Sequence, residues 1–271
     1  MSVVLADRIS VQNRFARSAN VERDLERPEP LEGYVVTARV LDVLARVAST
    51  AEGGKAGGAW SLTGPYGTGK SSLALLIDAA FGPPTPTRET ALRLIREASP
   101  ETEALLLAVH ERHGTWNTGF RRGLVTATRE PLSVTVLRAL RAADARSPSD
   151  SSAAQGLRGT LPDVESKDQS RIEPTASTVL QVARRLAEET PILIIIDEFG
   201  KTLEAVSDGH EDPYLLQQLA EAGQGSGLPI FLLTLQHLSF EEYHAASAGP
   251  ARREWAKVQG RFGDISFVES A

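Results

Sequence analysis

The 271-residue chain has no cysteine, which excludes disulfides and thiolate metal sites. It has no excess of positive charge either. Lys and Arg number 29 against 35 Asp and Glu, for a net charge of −6 and a pI of about 5.5. That argues against a broad basic surface for nucleic acid and leaves room only for a local patch. No stretch approaches the roughly 20 consecutive apolar residues of a membrane helix. The opening Met-Ser-Val-Val-Leu-Ala-Asp-Arg is too short in its apolar run for a signal peptide. The expectation is an intracellular, cytoplasmic chain with no membrane contact. Hydrophobic content of 41% and charged content of 24% are ordinary for a globular protein. The length suits one large domain or two small ones.

One stretch organises the rest. Gly64, Gly69, Lys70 and Ser71 fit G-x-x-x-x-G-K-[ST] at every fixed position. The pattern carries meaning only between a strand and a helix, and both are predicted here. Trp60 to Thr63 is a short apolar-rich run, and Leu73, Leu75, Leu76 and Ile77 give a helix its apolar face. Glycines at 64, 67 and 69 allow backbone angles that a side chain would forbid. Consecutive N–H groups can then turn inward around phosphate, over the positive end of the following helix. The expected cradle is Gly64, Pro65, Tyr66, Gly67, Thr68, Gly69, Lys70, Ser71 and Ser72. Lys70 would reach the β- and γ-phosphates, and the Ser71 hydroxyl would ligate Mg2+.

A second segment answers it. Ile192 to Ile196 is five apolar residues in succession, ending in Asp197-Glu198. A strand with no polar face is covered on both sides, and two carboxylates at its end are costly unless something uses them. Asp197 is placed in the Mg2+ shell beside Ser71, and Glu198 as the base that activates water.

The remaining segments are read more coarsely. Residues 1–33 form an N-terminal arm, read mainly as scaffold; a second reading folds it back so that Arg17 or Asn20 lies near the nucleotide. Thr37 caps a helix carrying Val40, Val43, Leu44 and Val47. Tyr34 to Thr37, at its start, is where an adenine could stack. Helices are expected over residues 87–98 and 101–113, with His110 and His113 at a solvated helix end. No third ligand of suitable spacing makes those histidines a metal site. Gly123 to Thr128 reads as the second strand, with Thr128 or Arg129 at its carboxyl end, and Pro131 opens the next helix. Residues 147–171 read as a mobile insertion. Ile230 to Leu235 is a further buried strand, after which Gln236, then Thr234, then His237 are the candidates to meet the γ-phosphate or the attacking water. Arg261 lies on the Gly260-Arg261-Phe262-Gly263 turn, before a last strand, Ile265 to Val268.

Gly64 to Ser71, Ile192 to Glu198 and Gly260 to Gly263 together resemble the P-loop NTPases of the AAA+ superfamily, over Val35 to Val268. The resemblance implies a three-layer α/β/α core around a mostly parallel five-stranded sheet, spanning residues 34–271. It implies ATP with Mg2+, and Arg261 as an arginine finger reaching into a neighbouring subunit's site. Two departures matter: family members often carry Asn where Gln236 stands, and no C-terminal helical lid follows the last strand. The expectation is a core completed by further chain or by another subunit. The wording Gly-Pro-Tyr-Gly-Thr-Gly-Lys-Ser-Ser and Ile-Asp-Glu-Phe-Gly-Lys also resembles large ATPases of bacterial phage-defence systems of the BREX and phage-growth-limitation type. That would place the chain in a larger protein complex with an indirect link to DNA.

The leading reading is therefore an ATPase whose hydrolysis drives change in an assembly. The alternative is a nucleotide-gated switch that binds ATP and hydrolyses it little. A kinase fits less well, because the Asp-Glu strand end favours water activation. No Asn-Lys-x-Asp guanine motif is present.

Overall fold

The computed structural model describes residues 19–53, 58–147, 174–206, 213–225, 227–243 and 249–268. Five strands form one sheet: β1 (Ala59–Thr63), β2 (Arg121–Thr126), β3 (Ile192–Asp197), β4 (Ile230–Gln236) and β5 (Gly263–Ser266). Their order is β2-β3-β4-β1-β5, and every pairing is parallel. A parallel sheet must be covered on both faces, and the alternation of β3 shows how. Leu193 and Ile195 pack on one layer, while Ile192, Ile194 and Ile196 pack on the other.

The first layer holds α2 (Ala38–Ala51), α3 (Lys70–Ala80), α4 (Pro86–Ala98) and α5 (Pro100–Arg112), with the short α1 (Val21–Asp24) joining it. The second holds α6 (Leu132–Ala145), α7 (Ala176–Glu189), α8 (Gly200–Ala205), α9 (Tyr214–Gly225), α10 (Phe240–Tyr243) and α11 (Gly249–Gln259). Thr37 caps α2 as expected, its hydroxyl accepting from the Val40 N–H. The result is a three-layer α/β/α core, with a sheet that is wholly rather than mostly parallel.

Three local expectations change. β2 begins at Arg121, not Gly123. Two arginines enter the sheet because each is neutralised on the face it turns to. Arg121 pairs with Asp144 at 2.8 Å and Glu189 at 2.6 Å; Arg122 pairs with Asp78 at 2.6 Å and Glu26 at 2.9 Å. Buried charges survive only when paired in this way. The last strand runs over Gly263–Ser266, ahead of the expected Ile265–Val268.

His110 is not at a solvated helix end. It is fully buried, with Nδ1 2.9 Å from the Thr115 hydroxyl and Nε2 3.0 Å from the Ala80 carbonyl. His113 bonds the Ala51 carbonyl at 2.7 Å. Among the described residues no cluster of three His, Cys, Asp or Glu suits a metal. No helix among them is long and apolar enough to cross a membrane.

The arm serves partly as scaffold. Glu22 accepts from the Thr126 N–H at 2.8 Å on the outer edge of β2 and from Arg138 at 3.1 Å. Glu26 is held by Arg122 and Arg146. Arg17, the 148–171 stretch of the expected insertion and residues 269–271 lie outside the described residues.

Candidate functional site

At the carboxyl ends of the strands lies a cavity of about 280 Å³. The segment Tyr66–Ser72 forms one wall, Asp197 and Glu198 another, and His237, Leu235 and Ala19 complete it. Parallel α/β sheets place ligands at this edge. β4 stands between β1 and β3, so its end faces both motifs.

The phosphate loop gets its shape from particular residues. Gly67 and Gly69 have φ of 79° and 88°, values that only glycine adopts without cost. Gly64 is required for a different reason: a Cβ there would sit 2.3 Å from the Phe267 carbonyl oxygen. Gly69 opens α3, so the free N–H groups of the first turn point into the cavity.

Lys70 is 6% exposed and folds back over its own loop. Its Nζ donates to the Gly64 carbonyl at 2.5 Å and the Pro65 carbonyl at 2.7 Å. Burial pushes its pKa below the ordinary lysine value, against the pull of Asp197. Across the cavity the two motifs meet. The Ser71 hydroxyl donates to Asp197 Oδ2 at 2.7 Å, between residues 126 positions apart. Asp197 is 5% exposed. Burial raises its carboxyl pKa, opposed by the bonds from Ser71 and from the Glu198 N–H, the latter at 2.8 Å.

Glu198 has φ of 51°, a left-handed conformation that costs a non-glycine residue about 1 kcal/mol or more. Three bonds hold it there. Its N–H is taken by Asp197, its carbonyl accepts from the Lys201 N–H at 3.1 Å, and the next N–H, of Phe199, donates to Leu235 of β4 at 2.9 Å. The chain thereby turns sharply from β3 into α8 with the carboxylate at the cavity wall. That carboxylate is ion-paired with Lys201.

The end of β4 divides the candidates. Thr63 and Gln236 are register partners, and the Gly64 N–H donates to the Gln236 carbonyl at 3.2 Å. The Gln236 side chain is fully enclosed; its Oε1 accepts from Thr234 at 3.4 Å, and its Nε2 has no partner among the described residues. His237, one residue on, lines the cavity instead. Its ring lies 3.3 Å, centroid to centroid, from that of Tyr66, and its Nδ1 is buried without a partner among the described residues. Burial, then the Lys70 ammonium, lowers the His237 pKa.

Other candidates lie elsewhere. Arg261 is half exposed and paired with Glu221 at 2.9 Å; it does not line the cavity. Arg129 pairs with Glu204 at 2.8 Å. The signals missed in the sequence are Ala19, on the cavity wall, and Lys201, whose spacing of three from Glu198 matches facing positions on a helix.

The G-x-x-x-x-G-K-[ST] loop, the acid-ended strand and the strand between them thus meet at one edge of a parallel α/β sheet. No protein-family model matches the chain, and no curated protein matches it. Among solved structures it is similar to the ORC2 protein of Aeropyrum pernix, solved as ADPNP–ADP complexes, at 15% identity and a TM-score of 0.44. The alignment covers 87% of this chain and 50% of that one, so the chain spans half the length of its neighbour.

Proposed function

We propose that this chain is an AAA+-type ATPase module that binds ATP and hydrolyses its γ-phosphate. The supporting observation is the 2.7 Å contact between Ser71 and Asp197, which joins the two motifs inside one cavity with Lys70 and Glu198. The donor set fits a hard cation: an alcohol oxygen and a buried carboxylate face each other. Ser71 and Asp197 would hold Mg2+, which when bound supplies charge neutralisation for the β,γ-phosphates.

The protein groups divide the remaining work. The loop N–H groups and Lys70 bind the phosphates, Lys70 exchanging its loop carbonyls for phosphate oxygens. Tyr66 and His237 close one side of the cavity, with the His237 ring in reach of the γ-phosphate and Gln236 enclosed behind it. Glu198 orients the attacking water and takes its proton. Arg261, outside its own cavity, contributes only at a neighbouring copy's site. In this reading turnover drives change in a larger assembly, of the DNA-linked phage-defence kind that the motif wording resembles.

Glu198→Gln tests the reading. Loss of the base should lower kcat by about 100-fold or more, while binding of a fluorescent ATP analogue stays within about twofold. Turnover at the wild-type rate in that variant removes Glu198 from the role. A second reading, a switch that binds ATP and hydrolyses it slowly, is favoured by one observation: both Lys70 and Glu198 are engaged by the protein itself.

A further inference from the structure

Glu198 shares the cavity wall with several polar and charged side chains. Asp197 precedes it on β3, Lys70 and Tyr66 face it from the phosphate loop, and His237 faces it from the end of β4. Its ion-pair partner is none of these. It is Lys201, from the first turn of α8. That position is unfavourable for a lysine on helix grounds alone, because the positive end of a helix repels a cation. The pairing favours the charged form of Lys201, since the bond its ammonium donates to Glu198 raises its pKa. Side-chain exposures of 48% and 39% leave the pair in contact with solvent, so it is weak enough to open.

The backbone sharpens the point. Glu198 cannot swing by moving its main chain, because Asp197, Leu235 and Lys201 fix the groups on either side of its Cα. What remains free is the side chain, and Lys201 decides where that points. A carboxylate oxygen that accepts from an ammonium is a poorer acceptor for water, and it is drawn toward α8.

We propose that Lys201 is a positioning residue, a latch that holds the Glu198 carboxylate toward α8 and restrains hydrolysis until the pair opens. The proposal rests on the ATPase reading above. It assigns Lys201 no contact with the nucleotide: the lysine acts through Glu198, on kcat and not on binding.

The test compares Lys201→Ala, Lys201→Met and Lys201→Arg by steady-state hydrolysis of Mg-ATP, with nucleotide affinity measured separately by titration of a fluorescent analogue. Removing the ammonium should raise kcat about two- to fivefold, the range set by a half-exposed ion pair. KM and affinity should stay within about twofold. Lys201→Arg should turn over at the wild-type rate, because a guanidinium restores the pair. Lys201→Ala combined with Glu198→Gln should be as slow as Glu198→Gln alone, since the gain passes through the carboxylate. A kcat unchanged or lowered in both Lys201→Ala and Lys201→Met overturns the latch while leaving the ATPase reading standing. A wild-type chain that binds the analogue but shows no Glu198-dependent turnover overturns the hydrolytic reading, and the latch with it.

Discussion

At the scale of single residues, His110 shows how a buried imidazole shapes stability. Burial drops its pKa from 6.5 to about 4. Between those values the unfolded chain takes up a proton that the folded chain refuses. Stability therefore falls as pH drops from about 6.5 toward 4, and is fully present above that window. At 1.36 kcal/mol per unit the gap is worth about 3 kcal/mol. Urea unfolding across this range should show the loss in the wild-type chain, and His110→Gln should flatten it. A variant curve with the wild-type slope would assign the loss to another group. The sequence could not reveal this burial. Two histidines three apart look like a solvated helix face; Phe81 and Phe120, whose rings lie 6.3 and 6.0 Å from that of His110, belong to distant segments. The choice between Gln236 and His237 was equally illegible, because it depends on where β4 ends relative to the loop it faces.

At the scale of elements, the buried ion network ties α3, β2, α6 and the arm together. Asp78 is 3% exposed and meets Arg122 and Arg146, each at 2.6 Å. Burial alone would raise its pKa, but the two guanidinium groups outweigh that and hold it below the ordinary value. Its contribution is present above the unfolded value of about 3.9 and is lost as pH falls through the lower folded value. Asp78→Asn leaves two buried cations short of a partner, so denaturant unfolding at pH 7 should show a loss of about 3–5 kcal/mol. A loss below about 1 kcal/mol, the value of a surface pair, would show the network to be dispensable. Here too the sequence was partly opaque. β3 was legible from its unbroken apolar run, whereas the start of β2 was not. Its two arginines look like loop residues until Asp144, Glu189, Asp78 and Glu26 are brought beside them from 23, 68, 44 and 96 positions away.

At the scale of the whole molecule, the phosphate loop and the acid-ended strand were legible because each is a local pattern with a chemical reason. The role of Arg261 is a question about more than one copy. Its exposure and its distance from its own cavity make the trans reading testable by dilution. Specific activity should rise with protein concentration, and Arg261→Ala should lower turnover at high concentration by roughly tenfold or more, given the 10³–10⁵ that such arginines supply elsewhere. A flat concentration profile would count against any action across an interface.

β4 is also a spacer. Because β1 and β3 are not neighbours, the gap between the lysine strand and the acid strand is fixed at two inter-strand steps, about 10 Å. The start of α3 leans across it, far enough for Ser71 to touch Asp197. The width of the chamber is thus a count of strands, which no side-chain change can alter. Were β1 zipped directly to β3, Lys70 and the acids would stand one inter-strand step closer, and the chamber between them would narrow by about 5 Å.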